Sequence, residues 1–261
     1  MAYPLSKQIM TGTLYVIGVG PGDPELLTLK AVRILRDVPC LCVPKGREEG
    51  SSLALSIVEG VVDLKGKEII EAFFPMKKTR SSEEERKFGN AEAGDDLLEA
   101  RWNETVLNIL KRLNQGIDVS FITIGDPSIY STFFYLYDRL LALAPAIPIK
   151  IVPGVSSITA AAARAGISLG LANEKIAILP ATYAGDLRTI ISEFDTIVLM
   201  KVYRVFDQVL RSLNETGLLD NSTYISKAGM REEAVIRNLR DVRKDDLNYF
   251  SLIIIRRRST S

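Results

Sequence analysis

The sequence predicts an α/β protein with two α/β domains, an N-terminal one with a mostly parallel five-stranded sheet and a C-terminal one with a smaller mixed sheet. Short apolar runs typical of buried strands alternate with segments of helical spacing between Thr13 and Val152. The same alternation begins again at Lys175, after a connecting segment. We therefore expect one domain at 1–155 and a second at 156–261.

The elements of the first domain follow from these runs. Strands are expected at 13–19, 40–43, 67–75, 119–124 and 147–152. Helical spacing predicts helices at 26–35, 51–61, 98–113 and about 129–143. Gly116 stands where a left-handed residue would end the third of these helices.

The second domain is expected to open with a helix of small residues at 156–165. Strands are predicted at 175–180, 196–200, 223–226 and 250–255, with helices near 186–194 and 204–216. The arginines at 256–258 are typical of a solvated chain end more than of an arm that binds nucleic acid.

Composition excludes several classes of protein. The 261 residues are 47% hydrophobic and 25% charged, and the net charge of +1 argues against a dedicated nucleic-acid surface. No apolar run approaches the roughly 20 residues that span a bilayer, and the N-terminus lacks the features of a signal peptide. We expect a cytoplasmic protein that binds neither nucleic acid nor membrane.

The sequence contains no histidine and two cysteines, Cys40 and Cys42. Residues i and i+2 of a strand lie about 6.6–6.8 Å apart on one face, which disfavours a disulfide. A zinc site would need two carboxylates beside these thiols, so we predict buried structural thiols and no metal. Without imidazole, any acid–base chemistry falls to carboxylates, tyrosine, lysine or water.

Three predicted strands end in glycine- and proline-rich loops, at 18–24, 125–127 and 153–157. The first resembles a dinucleotide fingerprint but has Asp23 where the third glycine belongs, which disfavours a nicotinamide cofactor. In the second, Gly125-Asp-Pro127 opens toward a helix, and Asp126 is either the cap of that helix or part of a ligand site. Because parallel strands end at one sheet edge, we expect the three loops to converge.

Taken together, these loops resemble the tetrapyrrole methylases, class III methyltransferases that use S-adenosyl-L-methionine. The resemblance rests on five segments spread across nearly the whole chain: Gly18-Val-Gly-Pro-Gly-Asp-Pro-Glu-Leu-Leu-Thr-Leu-Lys-Ala31, Gly125-Asp-Pro-Ser-Ile-Tyr-Ser-Thr132, Pro153-Gly-Val-Ser-Ser157, Leu199-Met200 and Ser226-Lys-Ala-Gly229. Phe74-Pro-Met76 and Leu179-Pro-Ala-Thr182 add similarity to the branch that methylates C20 of precorrin-2 or cobalt-factor II (cobalt-precorrin-2) in cobalamin biosynthesis.

The resemblance implies a homodimer whose two-domain subunits hold the active site in the cleft between the domains, with S-adenosyl-L-homocysteine as a product. Carried over by position, the cofactor contacts would be Pro21, Ile124, Gly125, Asp126, Ile129, Ser156, Ser157, Met200, Ala228 and Gly229. Apolar side chains suit adenine and the thioether, and Asp126 and the serines suit the ribose and amino-acid ends. Met200 could equally be a residue of the strand core.

A proton must leave the macrocycle during methylation, and Tyr130 and Asp126 are the first candidates to accept it, with solvent as the alternative. The acetate and propionate arms of a tetrapyrrole call for lysine and arginine. Lys201, Arg204 and Lys227 follow strand ends of the second domain and are favoured; the wider set adds Lys45, Arg47, Lys77, Lys78, Arg80 and Arg231. The charged segment 76–90 is either a solvated loop or a lid.

Other functions stay open at this point. Methylases of the same fold act at other corrin positions, on a modified histidine of a translation factor (diphthine synthase) or on ribosomal RNA. From another class, a nucleotide-binding module without catalysis would share the loops. Binding of both S-adenosylhomocysteine and a uroporphyrinoid would indicate the macrocycle methylase, whereas a sensor would bind one ligand without turnover.

Overall fold

The computed structural model describes residues 11–46, 52–74, 93–183 and 187–257, with the backbone alone at 93–97, 183, 187 and 188. Two compact units divide the chain. Unit 1 comprises the residues up to Gly20 together with Pro24–Val155, and unit 2 comprises Pro21–Asp23 and the residues from Ser156 onward. That the units fold as separate domains stays a prediction.

Unit 1 is built on a parallel sheet whose described strands are β1 (Leu14–Gly18), β2 (Cys40–Lys45), β3 (Glu68–Phe73), β4 (Val119–Thr123) and β5 (Ile149–Val152). The order is β3-β2-β4-β1-β5, and every neighbouring pair is parallel. The five predicted strands and the parallel sheet are confirmed.

The described helices of unit 1 are α1 (Leu29–Asp37), α2 (Leu53–Glu59), α3 (Ala93–Leu113) and α4 (Phe134–Leu143). The central strands are buried on both faces of the sheet: Val16 and Phe121 belong to one core cluster, Ile17 and Ile122 to another. This explains why β1, β2 and β4 are mainly apolar runs without alternation, whereas the edge strands β3 and β5 are partly exposed. Gly116 has a φ of +76° after α3, as expected for a helix end.

Cys40 and Cys42 lie on β2, buried and not joined by a disulfide. Burial, with a smaller contribution from the charge of Glu68, raises the pKa of the Cys40 thiol to about 11, and burial raises that of Cys42 further. Both groups are therefore neutral thiols at pH 7, and the prediction of structural thiols is confirmed.

The helix expected from about 129 begins later, at Phe134. Tyr130 has a φ of +53°, which a right-handed helix cannot contain, so the segment before Phe134 forms turns instead. The alternative that Asp126 caps this helix is wrong, because Phe133 occupies the N-cap position and provides no side-chain cap. The sequence predicts too early a start for this helix because apolar residues with helical spacing occur on both sides of the turn.

Unit 2 contains a sheet whose described strands are β6 (Ile176–Pro180), β7 (Thr196–Met200), β8 (Ser222–Ser226), β9 (Ala234–Ile236) and β10 (Ser251–Arg256). The order is β6-β7-β10-β8-β9, with β6 and β7 parallel and the other pairs antiparallel. The predicted mixed sheet is confirmed. Strand β9 was not predicted, since three residues are too few to show a periodicity.

The helices of unit 2 are α5 (Ser157–Ala165), α6 (Leu187–Glu193) and α7 (Phe206–Glu215), all close to their predicted positions. Helix α5 begins at the N-cap Ser156, whose hydroxyl accepts from the Thr159 N–H at 3.3 Å. It ends at Gly166, which has a left-handed backbone with φ +64°.

The described ranges contain no helix that could cross a membrane and no side-chain cluster that could hold a metal ion. None of their helices combines the length and apolar content required to cross a membrane. Nor do these ranges hold a group of three or more histidine, cysteine or acidic side chains arranged to bind a metal ion.

Candidate functional site

Three glycines bring the loops after β1, β4 and β5 into direct contact at the carboxyl edge of the unit 1 sheet. A Cβ placed on Gly154 would lie 2.3 Å from the Gly125 carbonyl oxygen and 2.8 Å from the carbonyl of Gly18. A Cβ on Gly18 would lie 2.5 Å from the same Gly125 oxygen. These approaches are possible only without side chains, and the predicted convergence of the loops is confirmed within unit 1.

Backbone hydrogen bonds fix the first two loops together. Gly20 and Gly125 form an isolated antiparallel bridge, in which the Gly125 N–H donates to Gly20 O at 2.7 Å and the Gly20 N–H donates back at 3.3 Å. Both glycines have positive φ, +78° and +74°. Below this bridge, the Val19 N–H donates to Thr123 O at 2.9 Å. The loops therefore continue the β1–β4 pairing beyond the ends of the strands.

The carboxylate of Asp126 links the second loop to the third. Its Oδ2 accepts from the Gly154 N–H at 2.9 Å, and its Oδ1 accepts from both the N–H (2.8 Å) and the hydroxyl of Ser128. Partial burial opposes the charge of this carboxylate, but the hydrogen bonds from Ser128 and Gly154 outweigh burial and lower its pKa. Asp126 is thus an anion that organises two loops.

We expect Asp126→Asn to lower the free energy of unfolding of unit 1 by about 1.5–3 kcal/mol at pH 7, because hydrogen bonds to a charged acceptor are lost. Since folding lowers the pKa of Asp126, its contribution is present above the unfolded pKa and disappears as pH falls through the folded value. The difference between wild type and variant should therefore shrink below roughly pH 4. Urea titrations followed by the fluorescence of Trp102, the single tryptophan and a residue of unit 1, measure it.

Asp63→Asn is the matched control for this substitution. Asp63 accepts a similar local bond from the Lys65 N–H at 2.9 Å, but on an exposed turn, and we expect a loss below about 1 kcal/mol. Equal losses for the two variants, or a difference that does not change with pH, would contradict the role given to the Asp126–Gly154 link.

Tyr130 follows this link in a left-handed conformation that costs about 1–2 kcal/mol for a residue other than glycine. Contacts on both sides hold it there. Before it, the Ile129 N–H donates to Asp126 O; after it, the Ser131 hydroxyl donates to Thr123 Oγ1 and accepts from the N–H of the fully buried Phe133. The ring remains 48% exposed, and partial burial raises the pKa of its phenol, so it is protonated at neutral pH. Such strain is typical of functional positions.

Unit 2 places two of the three predicted substrate cations at one sheet edge. Strands β7 and β8 lie on either side of β10 and are both antiparallel to it, so they end at the same edge. Lys201 and Lys227 are the residues that follow them, and their N–H groups donate to Ser251 O (3.2 Å) and Phe250 O (2.7 Å).

Both lysines are also left-handed, with φ of +60° and +52°. Among the described non-glycine residues, Tyr130 and Ala172 are the others with positive φ. Three of the four such residues were therefore singled out from the sequence as site candidates. The side chain of Lys227 pairs with Glu232, and the exposed Arg204 guanidinium lies 5.3 Å from the ring centroid of Tyr203.

The remaining predicted site residues occupy defined positions. Ile124 and Ile129 flank the Gly125–Asp126 turn and are half-buried, and Met200 is the half-buried last residue of β7. In unit 2, Ser156 caps α5, Ser157 is its first residue, and Ala228 and Gly229 follow β8, while Pro21 is buried. Arg47, Lys77, Lys78, Arg80 and the segment 76–90 lie outside the described residues.

Other basic candidates have ordinary partners or surroundings. Lys45, at the end of β2, pairs with Glu71 at 2.6 Å, and Arg231 is exposed. Sequence reasoning missed the Asp126–Gly154 link, because no local pattern reports a contact between residues 28 positions apart. It also missed the contacts of the Glu233 carboxylate with Gly229 and Arg164. The local signal for the first of these contacts was an acidic residue four positions after Gly229.

The parallel sheet with three convergent glycine loops, followed by a mixed sheet, agrees with the α/β fold class expected from the sequence. A family model, Tetrapyrrole (Corrin/Porphyrin) Methylases, matches residues 13–242. The chain belongs to the tetrapyrrole methylases, as its loops predicted.

Relatives with named activities are similar over nearly their whole length. The cobalt-precorrin-2 C(20)-methyltransferase of Salmonella typhimurium is 34% identical over 250 residues, which cover 94% of this chain and 97% of the relative. A protein of Methanocaldococcus jannaschii named probable cobalt-precorrin-2 C(20)-methyltransferase is 36% identical over 249 residues, covering 94% and 96%. Both names agree with the branch expected from the sequence.

Solved structures share the fold. A cobalt precorrin-4 methyltransferase superposes with a TM-score of 0.69 at 21% identity, covering 93% of this chain and 94% of its own. The uroporphyrin-III C-methyltransferase of Thermus thermophilus, complexed with S-adenosylhomocysteine, gives a TM-score of 0.60 at 22% identity, covering 94% and 97%.

Proposed function

We propose that this protein transfers a methyl group from S-adenosyl-L-methionine to C20 of precorrin-2 or cobalt-factor II (cobalt-precorrin-2) in cobalamin biosynthesis. The observation that carries the proposal is the contact of Gly18, Gly125 and Gly154 at the carboxyl edge of β1, β4 and β5, the edge at which open α/β sheets bind ligands. Family membership and the names of the two relatives support the substrate and the ring position.

The methyl-donor contacts we propose are those named from the sequence. On unit 1, Ile124 and Ile129 would offer apolar surface beside the exposed backbone of Gly125, while Asp126 keeps that turn in place. On unit 2, Met200 and Ala228 would offer apolar contacts. The Ser156 hydroxyl already accepts from the Thr159 N–H as a helix cap and lies 3.2 Å from the Thr159 hydroxyl, so part of its hydrogen-bonding capacity is used. Pro21, Ser157 and Gly229 complete the set.

The reaction forms a carbon–carbon bond and breaks a carbon–sulfur bond. When bound, S-adenosyl-L-methionine would supply its sulfonium methyl to an electron pair at C20 of the macrocycle, with the sulfur leaving as the neutral thioether of S-adenosyl-L-homocysteine and the ring losing a proton. Because the donor is already activated, the chain's main task is to align the two reactants. Tyr130 and Asp126 are the proposed proton acceptors. The Asp126 carboxylate already accepts three hydrogen bonds. The Tyr130 phenol is protonated at neutral pH, so it would accept the ring's proton only while passing its own to solvent.

For the carboxylate arms of the macrocycle we propose Lys201, Arg204 and Lys227. Lys201 and Lys227 flank the start of β10, and their left-handed backbones are fixed by bonds to consecutive carbonyls. Fixed cations lose less conformational entropy on binding than mobile ones do. The ion pair of Lys227 with Glu232 is on the surface and therefore weak enough for a substrate carboxylate to replace.

The deciding experiment incubates the full chain with S-adenosyl-L-methionine and either precorrin-2 or cobalt-precorrin-2, under anaerobic conditions. Mass spectrometry should show the gain of one methyl group on one of the two, and NMR with a labelled methyl should place it on C20. A methyl on another ring carbon would remove the C20 assignment and keep the family activity. No methyl on either macrocycle would refute the proposed function.

Two further features belong to the same proposal. The homodimer implied by the family resemblance is tested by light scattering on the purified chain. A cytoplasmic location is supported by the neutral, unpaired thiols of Cys40 and Cys42, which suit a reducing compartment.

A further inference from the structure

The turn after β8 carries a carboxylate that has no place in the proposed chemistry. Lys227–Glu233 folds back on itself, with the Met230 N–H donating to Lys227 O at 2.8 Å and the Glu233 N–H donating to Met230 O at 3.2 Å. This brings the Glu233 side chain inside the turn, where its Oε2 accepts from the Gly229 N–H at 2.7 Å. The side chain is only 12% exposed, although its neighbour Glu232 is 73% exposed.

The second oxygen of Glu233 connects the turn to helix α5. Its Oε1 accepts from Nε of Arg164, which lies in the last turn of α5. Arg237, just after β9, donates from Nη2 to Ala165 O at 2.8 Å and so caps the same helix end. The carboxyl end of α5 is therefore attached to the β8 turn by one carboxylate and to the β9 strand by one guanidinium.

These attachments couple two groups of proposed donor contacts. Ser156 and Ser157 begin α5, and Ala228 and Gly229 lie in the turn that Glu233 holds. The nine-residue helix transmits the position of its last turn to its first, since a short helix moves as a rigid rod. Because the Gly229 N–H is already donated to Glu233, Gly229 can offer the donor only its carbonyl or its Cα.

We infer that Glu233 is a positioning residue for the methyl-donor site, acting through Gly229 on one side and through Arg164 and α5 on the other. The inference rests on the proposed function, since the ligand it positions is S-adenosyl-L-methionine. In this role Glu233 would touch neither reactant, since its two carboxylate oxygens accept from Gly229 and Arg164. Its effect should therefore appear mainly in donor affinity, because misplacing contacts weakens binding of the ligand they hold.

The test compares Glu233→Gln and Glu233→Ala with wild type by calorimetric titration of S-adenosylhomocysteine, and by KM for each substrate. Glutamine can still accept from Gly229 but loses the charged bond to Arg164, so we expect its Kd to rise by a few-fold; alanine loses both, and its Kd should rise by about tenfold or more. KM for the macrocycle should change less than twofold. Asp220→Asn, which alters an exposed pair with Arg240 at 3.4 Å, is the matched control and should bind like wild type.

Arg164→Ala completes a double-mutant cycle. If Glu233 and Arg164 act as one unit, the double variant should bind no more weakly than Glu233→Ala alone. Circular dichroism establishes that each variant is folded, and if Glu233→Ala is not, the glutamine variant and the cycle built on it carry the test. Unchanged Kd in folded Glu233 variants, or a lowered unfolding midpoint with normal Kd, would overturn the inference and leave the function intact. Failure of wild type to bind S-adenosylhomocysteine would instead refute the proposed function.

Discussion

Gly154→Ala should destabilise unit 1 by about 3 kcal/mol and weaken the binding of S-adenosylhomocysteine by more than tenfold. The added methyl group would meet only backbone atoms, the Gly125 carbonyl at 2.3 Å and the Gly18 carbonyl at 2.8 Å, and none of these can rotate away as a side chain could. Relief requires the three loops to separate, which also breaks the Asp126–Gly154 bond. Trp102 fluorescence in urea gives the stability, and calorimetric titration gives the affinity.

Gly66→Ala is the control for this substitution. Gly66 has a φ of +80° and open space where a Cβ would stand, so alanine there costs only backbone strain, about 1 kcal/mol. It lies between α2 and β3, away from the three loops, and donor affinity should be unchanged. If Gly154→Ala behaved like Gly66→Ala in both measurements, the close contact of the loops would have no part in donor binding.

Tyr130→Phe should lower kcat by about 100-fold if the phenol accepts the departing proton while passing its own to solvent, the lower end of the usual contribution of a general acid–base group. Donor affinity should stay within twofold, because the ring and its backbone remain. Tyr135→Phe is the control: this tyrosine has the same 48% exposure and stacks on Trp102 at 5.2 Å. A normal kcat for both Tyr130→Phe and Asp126→Asn would assign proton removal to solvent.

The strain at Tyr130 has its own measurement. At most positions alanine is more stable than glycine, but at a φ of +53° the order should reverse, with Tyr130→Gly more stable than Tyr130→Ala by about 1 kcal/mol. Both variants lack the ring, so their difference isolates the backbone. Alanine being the more stable would show that the turn relaxes and that Tyr130 is not held under strain.

The central strands β1, β2 and β4 of unit 1 could be predicted because they are buried on both faces and therefore appear as mainly apolar runs. The family followed from glycine loops, whose spacing is a local property of the sequence. By contrast, the start of α4 was misplaced, since the turn that delays it depends on Tyr130 adopting a conformation that its neighbours impose. The sequence left Asp126 as either a helix cap or a ligand-site residue and did not indicate its link to Gly154, which is adjacent to it only in the folded chain.

Unit 2 shows the same limit. Lys201 and Lys227 were selected because they follow predicted strands, but their common edge depends on β10, the last strand of the sheet, lying between β7 and β8. The role of Glu233 depends on Arg164, which precedes it by 69 residues. Local patterns locate candidate residues; the pairing of candidates depends on tertiary contacts that the patterns do not contain.

The position of β1 in the sheet also limits when this sheet can form during synthesis. Strand β1 is among the first described segments to be synthesised, yet its neighbours are β4 and β5, and the Thr13 N–H donates to an Asp118 oxygen 105 residues away. The edge formed by Gly18, Gly125 and Gly154 therefore cannot exist on the ribosome until the third loop has emerged. Such distant pairings make folding slow, and the apolar β1 has no partner strand until β4 has emerged. A nascent chain of this enzyme can therefore complete this edge only after β5 and the loop that follows it have been synthesised.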